Sequence, residues 1–375
     1  MKRKIALVVS TPSTFNSFYR NHIIVLSQNF NVTLIANFNL SECDIDNVKK
    51  IHVEIQRKPS LISDVKVLFD LIRLFKKEKF EVVHSTTPKA GLLTQIAGKL
   101  ARVKFRIHTF TGQVWATKTG YKREILKKLD SLIAVSATHL LADSFTQRDF
   151  LEDQDVVPKN KIQVLGLGSI SGINTDKFRP LKTDNLREEL NISKESFLYL
   201  YLGRLNRDKG ILDLLAAFEK VYSKNPNTYL LLVGRDEEQL VPIIEKHYLF
   251  KKSISYLNFT KQPEKFMSMA DVFCIPSYRE GFGSVVIEAA ACKTPSIGSN
   301  IYGLSDSIED GKSGLLFKVG NINDLANKMD YCYNHSEDLK KYAEYGYERV
   351  CKNFTQEISS NDLLIFYKEN IGKNL

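Results

Sequence analysis

Twice along this 375-residue chain, short apolar runs rich in β-branched residues alternate with amphipathic segments at helical spacing, and few folds accommodate that alternation. A parallel sheet with crossover helices on both faces fits it, because strands buried on both sides read as unbroken apolar runs. The first series predicts strands at Ile5–Val9, Val32–Ala36, Val53–Ile55, Val82–His84, Phe105–Thr109 and Ser131–Val135. Between them, Leu61, Val65, Leu68, Leu71, Ile72 and Phe75 recur at helical spacing, in a segment that ends Phe75-Lys76-Lys77-Glu78-Lys79. A second series predicts strands near Phe197–Leu202, Tyr229–Val233, Ser255–Leu257, Val272–Ile275 and Thr294–Ile297.

The two series are separated by Gly166-Leu167-Gly168-Ser169-Ile170-Ser171-Gly172, a stretch suited to a hinge. The expected organisation is therefore α/β, with two doubly wound Rossmann-like domains over residues 1–168 and 169–357. A closing helix follows within 358–375, apolar at helical spacing over Ile358–Lys368, and its packing partner is not readable from sequence. A chain of this length is ample for two buried cores.

Five scattered cysteines, odd in number and without Cys-x-x-Cys spacing, point to a reducing compartment and no structural zinc. Met1-Lys2-Arg3-Lys4 has the charge of a signal-peptide start, but the apolar run Ile5–Val9 is too short for one and reads as a strand. No uncharged run is long enough for a spanning helix. The net charge of +10 is unevenly placed: residues 1–165 hold 26 Lys+Arg against 15 Asp+Glu, and residues 166–375 hold 27 against 28. A basic half fits an anionic membrane or acidic substrates. Nucleic acid is disfavoured, because no aromatic-basic stacking pattern, zinc finger or helix-turn-helix signature accompanies the charge.

Chemistry concentrates in Pro276-Ser277-Tyr278-Arg279-Glu280-Gly281-Phe282-Gly283-Ser284-Val285-Val286-Ile287-Glu288-Ala289, which follows the expected strand Val272–Ile275. Strand, glycine loop and helix in that order suit ligand binding at a carboxyl edge. Ser284 is expected to cap the helix, leaving the amides of Val285, Val286 and Ile287 to face a pyrophosphate. Glu288 then sits one turn in, within reach of a ribose diol, and Glu280 stays on the loop to accept hydrogen bonds from sugar hydroxyls. The plainer reading of each glutamate, a solvated charge, is opposed by Gly281 and Gly283 on either side of Phe282.

With these residues the chain resembles the retaining nucleotide-sugar glycosyltransferases of family 4, which have the GT-B fold of two Rossmann-like domains facing a cleft. The resemblance covers nearly the whole chain and is most specific between about residues 198 and 320. Its signature, two glutamates separated by seven residues, is matched by Glu280 and Glu288. It implies that Glu280 touches the transferred sugar and that Glu288 binds the nucleotide ribose. In Tyr201-Leu202-Gly203-Arg204-Leu205-Asn206-Arg207-Asp208-Lys209-Gly210, it gives Arg204 and Lys209 the donor pyrophosphate, where two cations offset charge on the departing nucleoside diphosphate. Gly281, Phe282, Gly283, Ser284 and Val285 complete the implied donor-binding set. Tyr256-Leu257-Asn258-Phe259 is similar to the segment lining the base pocket. The resemblance implies transfer with retained configuration and no bound metal or other cofactor.

Departures fall in the first half. Ser10-Thr11-Pro12-Ser13-Thr14 stands where many relatives carry a glycine-rich loop, and Thr111-Gly112 where many carry His-Gly. Either His108, also readable as a structural histidine ending a buried strand, or Thr111, which would contact a sugar hydroxyl at the same place, is the candidate for the catalytic histidine's role. His22 is a comparable candidate, equally readable as core, and Lys89 a candidate for an acceptor phosphate or a solvated loop lysine. The basic amphipathic segment Tyr121–Leu129, with Phe75–Lys79, offers a surface for an anionic membrane. Together these readings describe a cytoplasmic enzyme, peripheral on the inner membrane face. It would move a hexose or N-acetylhexosamine from a UDP-sugar to a lipid-linked saccharide or surface-polysaccharide acceptor. A sugar-nucleotide epimerase, a soluble disaccharide synthase, and a non-catalytic sugar-binding or scaffold protein are the alternatives.

Overall fold

The computed structural model describes residues 2–56 and 60–372, so the extreme ends of the expected first domain and closing helix lie outside it. The chain forms two units, one running to Gly172 and resuming at Gln356, the other spanning Ile173–Thr355. In the first, strands β1 (Lys4–Val8), β2 (Asn31–Ala36), β3 (Lys49–His52), β4 (Val82–Thr86), β5 (Phe105–Phe110), β6 (His139–Ala142) and β7 (Ile162–Val164) form one parallel sheet. Its order is β3-β2-β1-β4-β5-β6-β7.

Side chains alternate across each strand, so both faces of this sheet are apolar. Ile5, Leu7 and Val9 pack toward helix α1 (Arg20–Asn29) and the closing helix Gln356–Gly372. Ala6 and Val8 pack toward α2 (Leu61–Glu78) and α3 (Pro88–Leu100). Beside α3 lies α4 (Gly120–Ser136). Small residues let α3 approach the sheet closely: a Cβ added at Gly91 would come within 2.3 Å of the His108 ring.

Two expectations need correction here. Ser131–Val135 is not a strand but the last turns of α4, and β6 follows at His139–Ala142. Leu126, Leu129 and Ile133 repeat at helical spacing, and Ile133 turns into the core. Val53–Ile55 is a buried extension beyond β3, with Val53 and Ile55 both in the core.

The boundary also falls four residues later than expected, after Gly172. The reason is that the hinge stretch is tied into the first unit: the Ser169 amide donates to the Asp143 carbonyl at 2.8 Å and the Ile170 amide to Asp143 Oδ1 at 2.6 Å. The closing helix belongs to the same unit through polar ties. Asn21 Nδ2 donates to the Gln356 carbonyl at 3.0 Å, and His84 Nδ1 lies 2.8 Å from the Tyr367 hydroxyl.

The second unit holds β8 (Phe197–Leu202), β9 (Thr228–Val233), β10 (Ile254–Leu257), β11 (Val272–Ile275), β12 (Ser296–Ser299) and β13 (Gly314–Phe317), all parallel, in the order β10-β9-β8-β11-β12-β13. Along β8, Tyr199 and Tyr201 enter one core and Leu198 and Leu200 the other. The expected strand Thr294–Ile297 begins two residues later, and β13 has no counterpart among the strands read from sequence.

Three histidines of the first unit are buried and held neutral. Burial pushes His22 down to about 4 and His108 to about 3, while burial with His108 and His22 nearby pushes His84 to about 3. In an unfolded chain they protonate near pH 6.5. Stability from these groups is complete above that value and is lost as pH falls toward 3–4. Asp130 and Glu288, raised to about 6 and about 7 mainly by burial, act in the opposite sense. The histidine shifts together are roughly twice as large and decide the sign. Thermal denaturation is therefore expected at a lower temperature at pH 5 than at pH 7.5, and an equal or higher midpoint at pH 5 would contradict this assignment.

Candidate functional site

The order of the second sheet reverses between β8 and β11, and sheets of this kind bind ligands beyond the carboxyl ends of strands at such a reversal. The loops leaving these two strands carry Arg204, Lys209 and Glu280. After β8 the chain runs through Gly203–Asn206 into a short 3-10 turn, Arg207–Lys209, capped by Asn206 Oδ1, which accepts from the Lys209 amide at 3.1 Å. Gly210 follows with φ +69°, and a Cβ there would lie 2.1 Å from the Pro276 carbonyl oxygen. Only glycine permits that approach.

The apposition is reinforced along its length. The Tyr278 amide donates to the Asp208 carbonyl at 2.8 Å, and Arg279 Nε lies 3.0 Å from Asp208 Oδ2. Lys209 Nζ forms an ion pair with Glu280 Oε1, and the Ser277 hydroxyl donates to the same oxygen at 2.8 Å. Arg204, about half exposed, reaches Glu237 Oε2 at 3.0 Å, and Asn206 Nδ2 reaches that oxygen at 3.0 Å as well. Cations and carboxylates are thus gathered on one edge, where Arg204 pairs with Glu237 and Lys209 with Glu280.

Beyond Glu280 the glycines serve distinct ends. A Cβ at Gly303 would meet the Gly281 carbonyl oxygen at 2.6 Å, so the loop is backed by a second close approach. Gly283, with φ +79°, caps the helix Ser284–Ala291. Ser284 is therefore not the cap but the first helical residue, because the preceding glycine takes the left-handed conformation that ends the loop. The Val286 amide is engaged by the Gly283 carbonyl at 2.8 Å, so the amides left at the helix start are those of Ser284 and Val285. Phe282 is turned inward, 1% exposed, with its ring 5.4 Å from that of Phe354. A donor would meet its backbone and not its ring.

Glu288 lies in the second turn of that helix, on the side that meets the helix Pro263–Met269, where Cys292 Sγ lies 3.7 Å from the Glu264 carbonyl. Crowding around its carboxyl pushes the group up to about 7, with Lys177 lowering and Glu264 raising the value. Near neutral pH such a carboxyl exchanges a proton readily and can either donate to or accept from a diol. Beyond β9 and β10, the Arg235 guanidinium covers the Phe259 ring at 4.8 Å, and that ring is more than half exposed.

In the first unit the sheet order reverses between β1 and β4. There Ser10 Oγ stands 3.3 Å from Thr87 Oγ1, and Thr87 adopts φ +77°, which is strained for a β-branched residue. Thr111 follows β5 and, with Thr87, His108, Gln113 and Asp130, lines a small cavity. His108 is 2% exposed, 2.9 Å from Ser85 Oγ and edge-on to Phe110. A neutral, enclosed imidazole of this kind is a poor proton acceptor at neutral pH.

His22 is enclosed too, between the Ile170 carbonyl and Ser360 Oγ, the latter at 2.9 Å, and serves as a core tie. Lys89 Nζ is held by Asp64 Oδ1 at 2.6 Å with its side chain 15% exposed, so it is not a solvated loop lysine. Sequence reading missed Ser277 and Glu237. Ser277 lies three residues before Glu280 after a strand, a spacing that was visible; Glu237 becomes a neighbour of Arg204 only through the pairing of β8 with β9.

Comparison with known proteins bears on the fold and the family. The description "Glycosyl transferases group 1" matches residues 182–349, and "Glycosyl transferase 4-like domain" matches residues 32–168. The chain is 32% identical, over 92% of its length and 93% of the other, to the capsular polysaccharide biosynthesis glycosyltransferase CapM of Staphylococcus aureus. It is 28% identical to the UDP-Gal:alpha-D-GlcNAc-diphosphoundecaprenol alpha-1,3-galactosyltransferase of Escherichia coli, over 81% of this chain and 80% of that one. In fold it is similar to sucrose-phosphate synthase from Thermosynechococcus elongatus, with a TM-score of 0.82 at 20% identity and full coverage of both chains. Two parallel Rossmann-like units, the two glycosyltransferase family matches and 32% identity to CapM over 92% of this chain together make it a member of the GT-B glycosyltransferases.

Proposed function

We propose that the chain transfers a hexose or N-acetylhexosamine, with retained anomeric configuration, from a UDP-sugar to a lipid-linked saccharide at an anionic membrane surface. The observation that carries this reading is the convergence of Arg204, Lys209 and Glu280 at the reversal of the second sheet, with Glu288 on the helix that follows. The name of the Escherichia coli relative, with its UDP-galactose donor and diphosphoundecaprenol acceptor, supports the substrate classes.

In this reading the bond from the anomeric carbon to the diphosphate oxygen breaks and a bond to the acceptor oxygen forms on the same face. The acceptor's hydroxyl proton passes to the departing phosphate oxygen. Arg204 and Lys209 stabilise the charge developing on that diphosphate, so the reading requires no resident metal. Glu280 orients the sugar, Glu288 holds the ribose, and the amides of Ser284 and Val285 add donors at the helix start. Thr111, not the enclosed His108, supplies the polar group beyond β5.

Membrane attachment draws support from the outer faces of α2 and α4. Tyr121, Ile125, Leu132 and Val135 are exposed along α4, as are Leu61, Ile62, Val65 and Phe69 on α2, with Lys66, Arg73, Lys76, Lys122 and Lys128 also exposed on these two helices. Apolar and cationic side chains together favour an anionic lipid surface. Among the described residues no helix is long and apolar enough to cross a membrane.

Three outcomes are expected. Glu288→Ala should weaken UDP binding about tenfold, or about 1.4 kcal/mol, in calorimetric titration, with circular dichroism unchanged; unaltered affinity would remove the ribose assignment. Turnover should persist in excess EDTA, whereas complete loss restored by a divalent cation would show that Arg204 and Lys209 do not suffice. Ile125→Asp should reduce sedimentation with phosphatidylglycerol vesicles while leaving UDP affinity unchanged, and undiminished sedimentation would exclude α4 as the contact.

A further inference from the structure

Within the second unit, one carboxylate oxygen receives two donors. Lys209 Nζ and Ser277 Oγ both engage Glu280 Oε1, the hydroxyl at 2.8 Å, and Ser277 is fully buried. The Lys209 and Glu280 side chains keep 20% and 15% of their surface, so the pair is partly desolvated yet reachable. The backbones beneath are fixed, by Gly210 against Pro276 on one side and by Gly303 against the Glu280 and Gly281 carbonyls on the other. At both glycines the approach leaves no room for a side chain.

A diphosphate arriving at this edge carries more negative charge than a single carboxylate and competes with Glu280 for the Lys209 ammonium. Once Lys209 turns to the phosphates, Glu280 loses its charged partner. The buried hydroxyl stays, because it belongs to the same loop as Glu280 and has no flexible stem. We propose that Ser277 is a positioning residue for Glu280, holding that carboxylate in place when a donor diphosphate draws Lys209 away from it. The inference rests on the donor-site reading above and adds two things to it: Glu280 restrains Lys209 in the free protein, and Ser277 preserves the sugar-facing geometry in the loaded one.

The test uses the full-length chain, with UDP as the calorimetric probe and UDP release from whichever UDP-sugar the wild-type protein turns over. Ser277→Ala is expected to lower kcat about tenfold with the UDP dissociation constant within about twofold of wild type, since only the orientation of Glu280 is lost. Glu280→Gln is expected to bind UDP severalfold more tightly, because Lys209 is released from its competitor. Lys209→Met should weaken UDP. Wild-type kcat in Ser277→Ala, or unchanged UDP affinity in Glu280→Gln while Lys209→Met binds weakly, overturns this inference and leaves the donor site standing. UDP affinity unchanged in both Lys209→Met and Glu280→Gln overturns the donor-site reading and this inference with it. Should Ser277→Ala fail to fold, Ser277→Cys, which keeps the side-chain volume and weakens the donor, takes its place with the same expected fall in kcat and the same overturning result.

Discussion

The candidate site depends on two backbones meeting where β8 and β11 lie side by side. Gly210 sits so close to the Pro276 carbonyl that a methyl group would not fit between them, and this contact sets the distance at which Lys209 and Glu280 face each other. Strand pairing holds the bases of the two loops at the usual spacing of neighbouring strands, about 4.8 Å. The tips are then fixed by the Asp208 bonds to Tyr278 and Arg279. An ion pair between flexible lysine and glutamate side chains contributes little when exposed. Here it is partly buried and its stems are held, so its geometry is set by the fold and not by the pair itself.

That arrangement explains why positive and negative groups coexist at one edge. Arg204 is answered by Glu237 and Lys209 by Glu280, so these two cations are compensated at that edge. In the proposed donor site a diphosphate would replace those partners and would not meet bare charge. Preorganised groups that need little movement at the moment of reaction are the usual source of electrostatic stabilisation in enzymes. In the first unit the buried histidines tie α1, β4 and the closing helix together, and Thr111 and the strained Thr87, both part-exposed, line one small cavity.

Much of this was legible in the sequence, for reasons that can be stated. Strands buried on both faces, such as Phe197–Leu202 and Val272–Ile275, appear as unbroken apolar runs, and the glutamates eight positions apart sit on a strand-loop-helix pattern whose chemistry is local. Ser131–Val135 misled because a short apolar run reads alike as strand or as helix end, and only the packing of Ile133 decides. Ser284 was misplaced by one residue because Gly283 turned out to be left-handed, a backbone fact that residue type alone does not fix. The fates of Lys89, His22 and Phe282 were hidden for a different reason. Each is settled by a partner far along the chain, Asp64, Ser360 and Phe354, which local pattern does not reveal. The closing helix was readable as a helix but not as part of the first unit, since its ties to Asn21 and His84 span hundreds of residues.

The central claim is that the loops after β8 and β11, with the start of the following helix, form the nucleotide site. Amide hydrogen exchange read by mass spectrometry, with and without saturating UDP, tests it most directly. The account predicts slowed exchange concentrated in residues 203–210 and 281–288, with the remaining sheet edges unchanged. Protection that falls elsewhere while these two segments exchange at their ligand-free rates would contradict it.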